Sequence, residues 1–282
     1  MLLITGATGN VGRPLVQLLI NEGVKVRAVS RAAAAIPGVE VVQGDPSRPA
    51  GLEAAFDGVT GLFLHPRAVG DAAFDLVAMA RRRGVRRIVA LAASNVDDDL
   101  AAQPSRFRGD RNAEAEAAAV ASGLAWTSLR PGAFAINALL AWGAQIRAGD
   151  VVRYPYADFT EALVHERDLA AVAARALLTD DLLGRRPVLT GPASATHAEL
   201  VATIGDVLDR PLRFAVVPPA AATEAMVRNG FPARFGSALM SRYAAAQPAV
   251  VTGEVPAILG RPALPFAEWV REHATAFQKE SR

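Results

Sequence analysis

Three glycines at a spacing of three residues follow the first apolar run of the chain: Gly6, Gly9 and Gly12. The run before them, Leu2 to Ile4, is too short for a helix and is typical of a buried strand, and helical apolar spacing follows. Glycines let the backbone approach a pyrophosphate, and a helix N-terminus offers free N–H groups. The stretch predicts a dinucleotide-binding turn, with an ordinary turn as the alternative. Its predicted cofactor-binding residues are Gly6, Thr8, Gly9, Asn10, Val11 and Gly12.

The end of the second predicted strand bears on which dinucleotide is bound. In dinucleotide-binding folds an acidic residue there holds the 2′-hydroxyl of NAD, whereas an arginine suits the 2′-phosphate of NADP. Arg31 follows this strand, and no acidic residue occurs between Gly23 and Val39. We therefore expect NADP(H) to be preferred, with NAD(H) as the alternative cofactor. If NAD(H) is the cofactor, Arg31 is a solvent-facing side chain.

Strands and helices alternate through the first half of the chain, which predicts a Rossmann-type, doubly wound parallel sheet of the α/β class. The strands are predicted at 2–4, 24–29, 39–42, 59–64, 87–92 and 124–129. A helix is predicted at 71–83 and a loop at 96–105. Ligands of open α/β sheets lie outside the carboxyl ends of the strands, so Leu64, Ser94 and Pro131 are predicted to share a crevice with the glycine turn. Asp45, after the third strand, is expected either to accept from the adenine amino group or to start the next turn.

From about residue 135 the pattern changes to a mixture of short strands and helices. Helices are predicted at 136–148 and 166–178, and Thr196 is expected to begin a further helix with Glu199 at the capping-box position. We predict an NAD(P)-binding domain at 1–150 that also uses parts of 160–192. A smaller, mostly helical substrate-binding subdomain is predicted at 193–282. Phe134, Trp142 and Tyr156 are candidates to line an apolar substrate pocket, although aromatic residues at such positions are also common in cores.

Composition excludes several classes of site. The 282 residues include no cysteine, so disulfides, thiolate catalysis and zinc–thiolate sites are excluded. The four histidines are far apart, and we expect no metal site. The arginines at 81–87 flank a predicted helix end without interleaved aromatic residues, which disfavours nucleic-acid binding. No apolar run has the length of a membrane span and no basic leader is present, so we expect a cytoplasmic protein.

Several stretches together resemble the NmrA-like family of atypical short-chain dehydrogenases/reductases. They are Thr5–Gly12, Gly44–Asp45, Ser122–Thr127, Leu129–Phe134, Arg167–Ala170 and Leu189–Pro192. The resemblance implies that NADP binds at Gly6–Gly12 and Arg31. It also implies a nicotinamide pocket near Ala92 to Ser94 and Pro131 to Phe134. Family members include quinone and alkene reductases as well as cofactor-sensing regulators.

The chain departs from the short-chain reductase pattern at the Tyr-x-x-x-Lys pair, in which the tyrosine passes a proton to the substrate. Counted back from Ser122-Gly123, the corresponding positions are Arg108 and Asn112. The tyrosines are at 154, 156 and 243 and the lysines at 25 and 279, so no realignment within this predicted helix restores the pair. Asn112 is expected either to bind the cofactor ribose or a ligand, or to lie at the surface. No catalytic residue is identified.

Two functions fit these observations. The first is an NADPH-dependent oxidoreductase that reduces a quinone or a similar conjugated small molecule by direct hydride transfer, without the Tyr-x-x-x-Lys pair. The alternative is a non-catalytic, NADP(H)-binding redox sensor that signals through a protein partner. The sequence leaves the oligomeric state open.

Overall fold

The computed structural model describes residues 1–32, 35–245 and 247–278, which fall into two compact units. The first unit comprises Met1–Asp97, Gly109–Pro131 and Glu166–Leu189, and the second comprises the other described residues. The units interleave along the chain, so their limits differ from the predicted domain limits at 150 and 193. That division into cofactor and substrate domains stays a prediction.

Eleven strands occur among the described residues: β1 (Leu2–Thr5), β2 (Val26–Ser30), β3 (Val39–Gln43), β4 (Gly61–Leu64), β5 (Arg87–Leu91), β6 (Ala125–Pro131), β7 (Val151–Tyr154), β8 (Thr160–Glu161), β9 (Val188–Leu189), β10 (Ala195–Thr196) and β11 (Arg213–Val216). The α-helices of the same residues are α1 (Gly12–Asn21), α2 (Pro66–Val69), α3 (Ala73–Arg82), α4 (Asn112–Val120), α5 (Ala144–Ala148), α6 (Glu166–Leu178), α7 (His197–Leu208), α8 (Pro219–Arg228), α9 (Ala233–Ala244), α10 (Glu254–Leu259) and α11 (Phe266–Glu272).

The first unit is built on a seven-stranded sheet in the order β3-β2-β1-β4-β5-β6-β9, with every neighbouring pair parallel. The chain moves outward from β1 to β3 and then returns to the other side of β1 with β4. The carboxyl end of β1 is therefore the topological switch point, where open α/β sheets bind ligands. The predicted Rossmann-type sheet is confirmed.

The central strands of this sheet are apolar and buried on both faces. All four residues of β1 and of β4 are buried, as parallel strands between helix layers require. Helix α1 buries Leu15, Val16 and Leu19 on one face. The spacing of these three residues therefore directs α1 onto the sheet.

The second unit carries two small sheets and most of the C-terminal helices. Strands β7 and β11 pair in parallel, and β8 pairs with β10 in antiparallel fashion. Thr196 begins α7 with a capping box, because its hydroxyl accepts from the Glu199 N–H while the Glu199 carboxylate accepts from the Thr196 N–H. This predicted helix start is confirmed, and so is the largely helical C-terminal part.

Several elements differ from their sequence predictions. The segment 96–105, predicted as a loop, contains short 3-10 helices at Leu100–Ala102 and Pro104–Arg108. The helix predicted at 136–148 begins with a π-helical turn at Leu139–Gly143. Strand β6 continues through Pro131 instead of turning away at Arg130, because both residues pair with β9. Helix α10 was not predicted.

Candidate functional site

The glycine turn joins β1 to α1 at the switch point. Gly6 has a φ of +67°, in the region that favours glycine, and its carbonyl accepts from the Gly9 N–H at 2.9 Å. A Cβ on Gly12 would lie 2.1 Å from the Gly6 carbonyl oxygen, so only glycine allows the helix to start this close to the turn. The Arg13 N–H then donates to the Gly9 carbonyl at 2.9 Å. Sequence and geometry therefore agree on a tight strand–turn–helix unit.

The outer side of this turn has the properties of an anion site. Thr8 and Asn10 are exposed, and the first turn of α1 contains no acidic residue. The first N–H groups of a helix have no intrahelical partners and carry the positive end of the helix dipole. The Val11 side chain is buried, so Val11 offers only its backbone. These residues fit the pyrophosphate of a dinucleotide, which Gly6–Gly12 would hold.

Arg31 and Asp45 follow the neighbouring strands β2 and β3. Arg31 is exposed. The Asp45 carboxylate accepts from the Ser47 hydroxyl at 2.7 Å and from the Ser47 N–H at 3.0 Å. These two bonds, followed by the charges of Arg31 and Arg48, lower the pKa of Asp45 despite its partial burial. Asp45 thus starts the turn, which was one of the two roles expected for it. Its contact with the adenine amino group stays a prediction.

The remaining predicted residues of the first unit differ in what they can offer a ligand. The side chains of Leu64 and Ala92 are buried in the core, so only their backbone atoms are available. Ser94 is exposed, and its N–H donates to the Pro131 carbonyl at 2.8 Å, which joins the loop after β5 to the end of β6. Asn112 begins α4 and is 6% exposed, so the expectation of a surface position is wrong.

A charged network beside these strand ends was missed by the sequence analysis. Glu116 of α4 is buried and accepts from the Ser128 hydroxyl and from Arg130, with an Arg130 Nε–Glu116 Oε2 distance of 2.9 Å. Arg130 also donates to Asp97 at 2.6 Å. Burial alone would raise the pKa of Glu116, but the bonds from Arg130 and Ser128 together hold it below its ordinary value. The network ties α4 to β6 and to the loop after β5.

The three predicted pocket residues belong to the second unit. Trp142 is 2% exposed and packs edge-to-face against Tyr154 and His197, so its side chain lies in that unit's core. Phe134 is half-buried and forms a bridge with Val164. Tyr156 is half-buried with a φ of +53°, and its ring centroid lies 6.2 Å from that of Tyr243.

The two positions aligned with Tyr-x-x-x-Lys lie in different units. Arg108 ends a 3-10 helix of the second unit, and its guanidinium lies 5.0 Å from the Phe231 ring centroid and 5.5 Å from that of Phe235. Asn112 begins α4 in the first unit. The three tyrosines belong to the second unit, and Lys279 lies outside the described residues.

Two kinds of site are absent from the described residues. Within 1–32, 35–245 and 247–278 no helix is long and apolar enough to cross a membrane. The same part of the chain holds no group of three or more acidic or histidine side chains arranged to bind a metal ion.

Comparisons with known proteins support the interpretation of the glycine turn. A family model described as NAD(P)H-binding matches residues 6–180. The chain is 38% identical to the (4-alkanoyl-5-oxo-2,5-dihydrofuran-3-yl)methyl phosphate reductase of Streptomyces griseus, over 99% of this chain and 100% of that protein. It is 31% identical to the NAD(P)H azoreductase of Xenophilus azovorans, over 98% and 99% of the two chains.

A solved structure shows the same fold. The NADPH-dependent quinone oxidoreductase of Escherichia coli, complexed with NADPH, is 24% identical with a TM-score of 0.81, over 98% of this chain and 100% of that one. Taken with the glycine turn at the switch point, these matches define an NAD(P)H-binding oxidoreductase. The chain belongs to the NAD(P)H-binding family whose model it matches, in agreement with the predicted NmrA-like, atypical short-chain dehydrogenase/reductase resemblance. The predicted family, enzyme class and NAD(P)H cofactor are confirmed.

Proposed function

We propose that this enzyme prefers NADPH and reduces a flat, electron-poor conjugated small molecule of the quinone type. When bound, the reduced nicotinamide supplies a hydride to the acceptor. The chain's own residues bind and orient the cofactor, and they provide an apolar surface for the acceptor.

The observation that carries this proposal is the chemistry shared by the substrates of the relatives. The Streptomyces griseus relative is a reductase of an alkanoyl-oxo-dihydrofuran, and the Xenophilus azovorans relative is an azoreductase. Acyl furanones, azo compounds and quinones all contain a conjugated π system that can accept a hydride. Because the first relative aligns with this chain over almost its whole length, the same acceptor class is the best candidate here.

The missing tyrosine–lysine pair supports the same acceptor class. A carbonyl reductase needs a fixed acid to protonate the developing alkoxide. Reduction of a quinone depends more on proximity in an apolar, water-poor pocket, and the product oxygen can take its proton from water. Arg108 and Asn112 cannot replace the pair, since a guanidinium and an amide are poor proton donors near pH 7. A reductase of conjugated acceptors can therefore function without the tyrosine–lysine pair.

Three groups of residues bind the cofactor phosphates, the nicotinamide and the acceptor in this proposal. Gly6–Gly12 hold the pyrophosphate, and Arg31 binds the 2′-phosphate of NADPH, as its exposed position at the end of β2 allows. Backbone groups at Ala92, Ser94 and Pro131 are proposed to border the nicotinamide. Phe134 and Tyr156, which are half-buried in the second unit, are proposed to contact the acceptor ring.

The proposal is tested by following the loss of NADPH absorbance with a benzoquinone, an azo dye and an acyl furanone in separate assays. We expect turnover of at least one acceptor, and none in a Gly9→Val variant that no longer binds the cofactor. Tyr156→Leu should raise KM more than it lowers kcat if the ring contacts the acceptor. NADPH binding without turnover of any acceptor would refute the proposal and favour a cofactor-sensing role.

A further inference from the structure

His65 follows β4, and its imidazole ring lies against the glycine turn. A Cβ placed on Gly6 would meet His65 Cγ at 2.8 Å, and a Cβ placed on Gly9 would lie 4.0 Å from His65 Nε2. The ring therefore occupies the side of the turn next to Gly6, and its Nε2 is the ring nitrogen near Gly9. Every one of these residues belongs to the first unit.

The hydrogen bond that the ring accepts indicates its tautomer. Nδ1 accepts from the Arg67 N–H at 3.3 Å, so the proton of the neutral imidazole is on Nε2. Burial lowers the pKa of His65 to about 4, so the ring is neutral near pH 7. Among the described residues Nε2 has no hydrogen-bond partner. An N–H donor is thus left free beside the turn that holds the cofactor.

The backbone around His65 holds this donor in place. Its N–H donates to the Thr5 hydroxyl at 2.8 Å, and that hydroxyl donates to the Phe63 carbonyl at 2.8 Å. The His65 carbonyl accepts from the N–H groups of Ala68 and Val69. The end of β4 is therefore tied both to β1 and to α2. A donor fixed before the ligand arrives loses little conformational entropy on binding.

We infer that His65 is a cofactor-binding residue whose Nε2–H donates to an oxygen of the dinucleotide pyrophosphate. The inference rests on the cofactor binding that the proposed function requires, and it adds a side-chain donor to the backbone groups of the turn.

Three substitutions separate this role from the structural role of His65 as the cap of α2. His65→Asn keeps an oxygen near the position of Nδ1, so it can accept from the Arg67 N–H, but it has no donor at the position of Nε2. His65→Gln places an amide N–H near the position of Nε2 and loses the cap. His65→Leu removes both groups and retains a side chain of substantial volume.

The experiment measures the dissociation constants of NADPH and of ADP-ribose 2′-phosphate by calorimetry, together with the Tm of each variant without ligand. We expect His65→Asn and His65→Leu to weaken both ligands about 10- to 100-fold, and His65→Gln to stay within a few-fold of the wild type. The Tm should be preserved in His65→Asn, because this variant keeps the cap of α2. A loss confined to NADPH would overturn the inference, because it would place the contact at the nicotinamide.

Unchanged affinity in His65→Asn and His65→Leu would also overturn the inference, as would affinities that follow Tm across the three variants. These outcomes differ from a failure of the proposed function. That failure would appear as wild-type NADPH binding without turnover of any conjugated acceptor.

Discussion

Replacing Glu161 by glutamine should stabilise the protein at alkaline pH. Glu161 ends β8, its side chain is 15% exposed, and burial raises its pKa from an ordinary 4.5 to about 7, although the charge of Arg242 acts in the opposite direction. The His197 Nε2 lies 3.8 Å from the carboxylate, which is too long for a hydrogen bond. Burial also lowers the pKa of His197, to about 4, so the imidazole is neutral and gives the carboxylate no counter-charge.

The pKa of Glu161 sets the size and the sign of the effect. The unfolded chain ionises this carboxyl near pH 4.5 and the folded chain only near pH 7, so stability falls as the pH rises through that window. At about 1.4 kcal/mol per pKa unit, the ionised carboxylate costs ~3 kcal/mol of unfolding free energy at pH 8. Glutamine has the same shape and no charge. The Glu161→Gln variant should therefore gain ~3 kcal/mol at pH 8 and less than ~1 kcal/mol at pH 5.

Thermal unfolding of wild type and variant at pH 5, 6.5 and 8 measures this gain as a difference in Tm of several degrees at the highest pH. His197 is present in both proteins, so its own titration largely cancels in the difference. Glu199→Gln is a matched control in the same unit, because bonds from the Thr196 N–H and hydroxyl lower the pKa of this exposed carboxyl. The control should show no gain at pH 8. A Glu161→Gln gain that is absent at pH 8, or equal at pH 5 and pH 8, would refute the reasoning.

Three further predictions concern the first unit. Arg31→Ala should weaken NADPH binding about 30- to 150-fold and NADH binding little, whereas Arg31→Asp should reverse the preference; equal losses for both cofactors in calorimetry would contradict the assignment. Gly9→Val should remain folded but lose NADPH affinity, while Gly12→Ala, whose Cβ would meet backbone at 2.1 Å, should cost about 3 kcal/mol in denaturant unfolding. Arg130→Met should destabilise by about 3 kcal/mol because it removes the main cation from buried Glu116, and the loss should be smaller in an Arg130→Met/Glu116→Met double variant.

Elements with one strong periodic signal were predicted well from the sequence. The α6 range, Glu166–Leu178, matches its prediction at both ends, because a regular apolar face and flanking strands mark its limits. Elements whose limits depend on partners far along the chain were predicted less accurately. Nothing in the residues around Arg130 and Pro131 indicates that β9 pairs with them and so lengthens β6. The helix predicted at 71–83 corresponds to α3, and a 3-10 turn at Gly70–Ala72 precedes it because Gly70, with a φ of +54°, ends α2.

The candidate site was predictable where it depends on local geometry. The glycine spacing between a strand and a helix specifies the turn, and the same spacing explains the backbone contact at Gly12. The contacts of His65, and those of Glu116 with Ser128 and Arg130, depend on strands that meet only in the folded sheet. A histidine before a proline and a glutamate in an alanine-rich helix give no local signal of such contacts. Sequence patterns therefore located the cofactor turn but not its side-chain neighbours.

The interleaved construction of the first unit has a consequence for synthesis of the chain. Helix α6 and strand β9 complete its sheet and helix layers, yet they follow a long segment, 132–165, that belongs to the second unit. A nascent chain that has emerged only to residue 131 lacks β9, the edge partner of β6, and α6, so its apolar strands are incompletely covered. The cofactor-binding unit can therefore finish folding only after about two thirds of the polypeptide has left the ribosome, and until then the exposed edge of β6 is a site for misassembly.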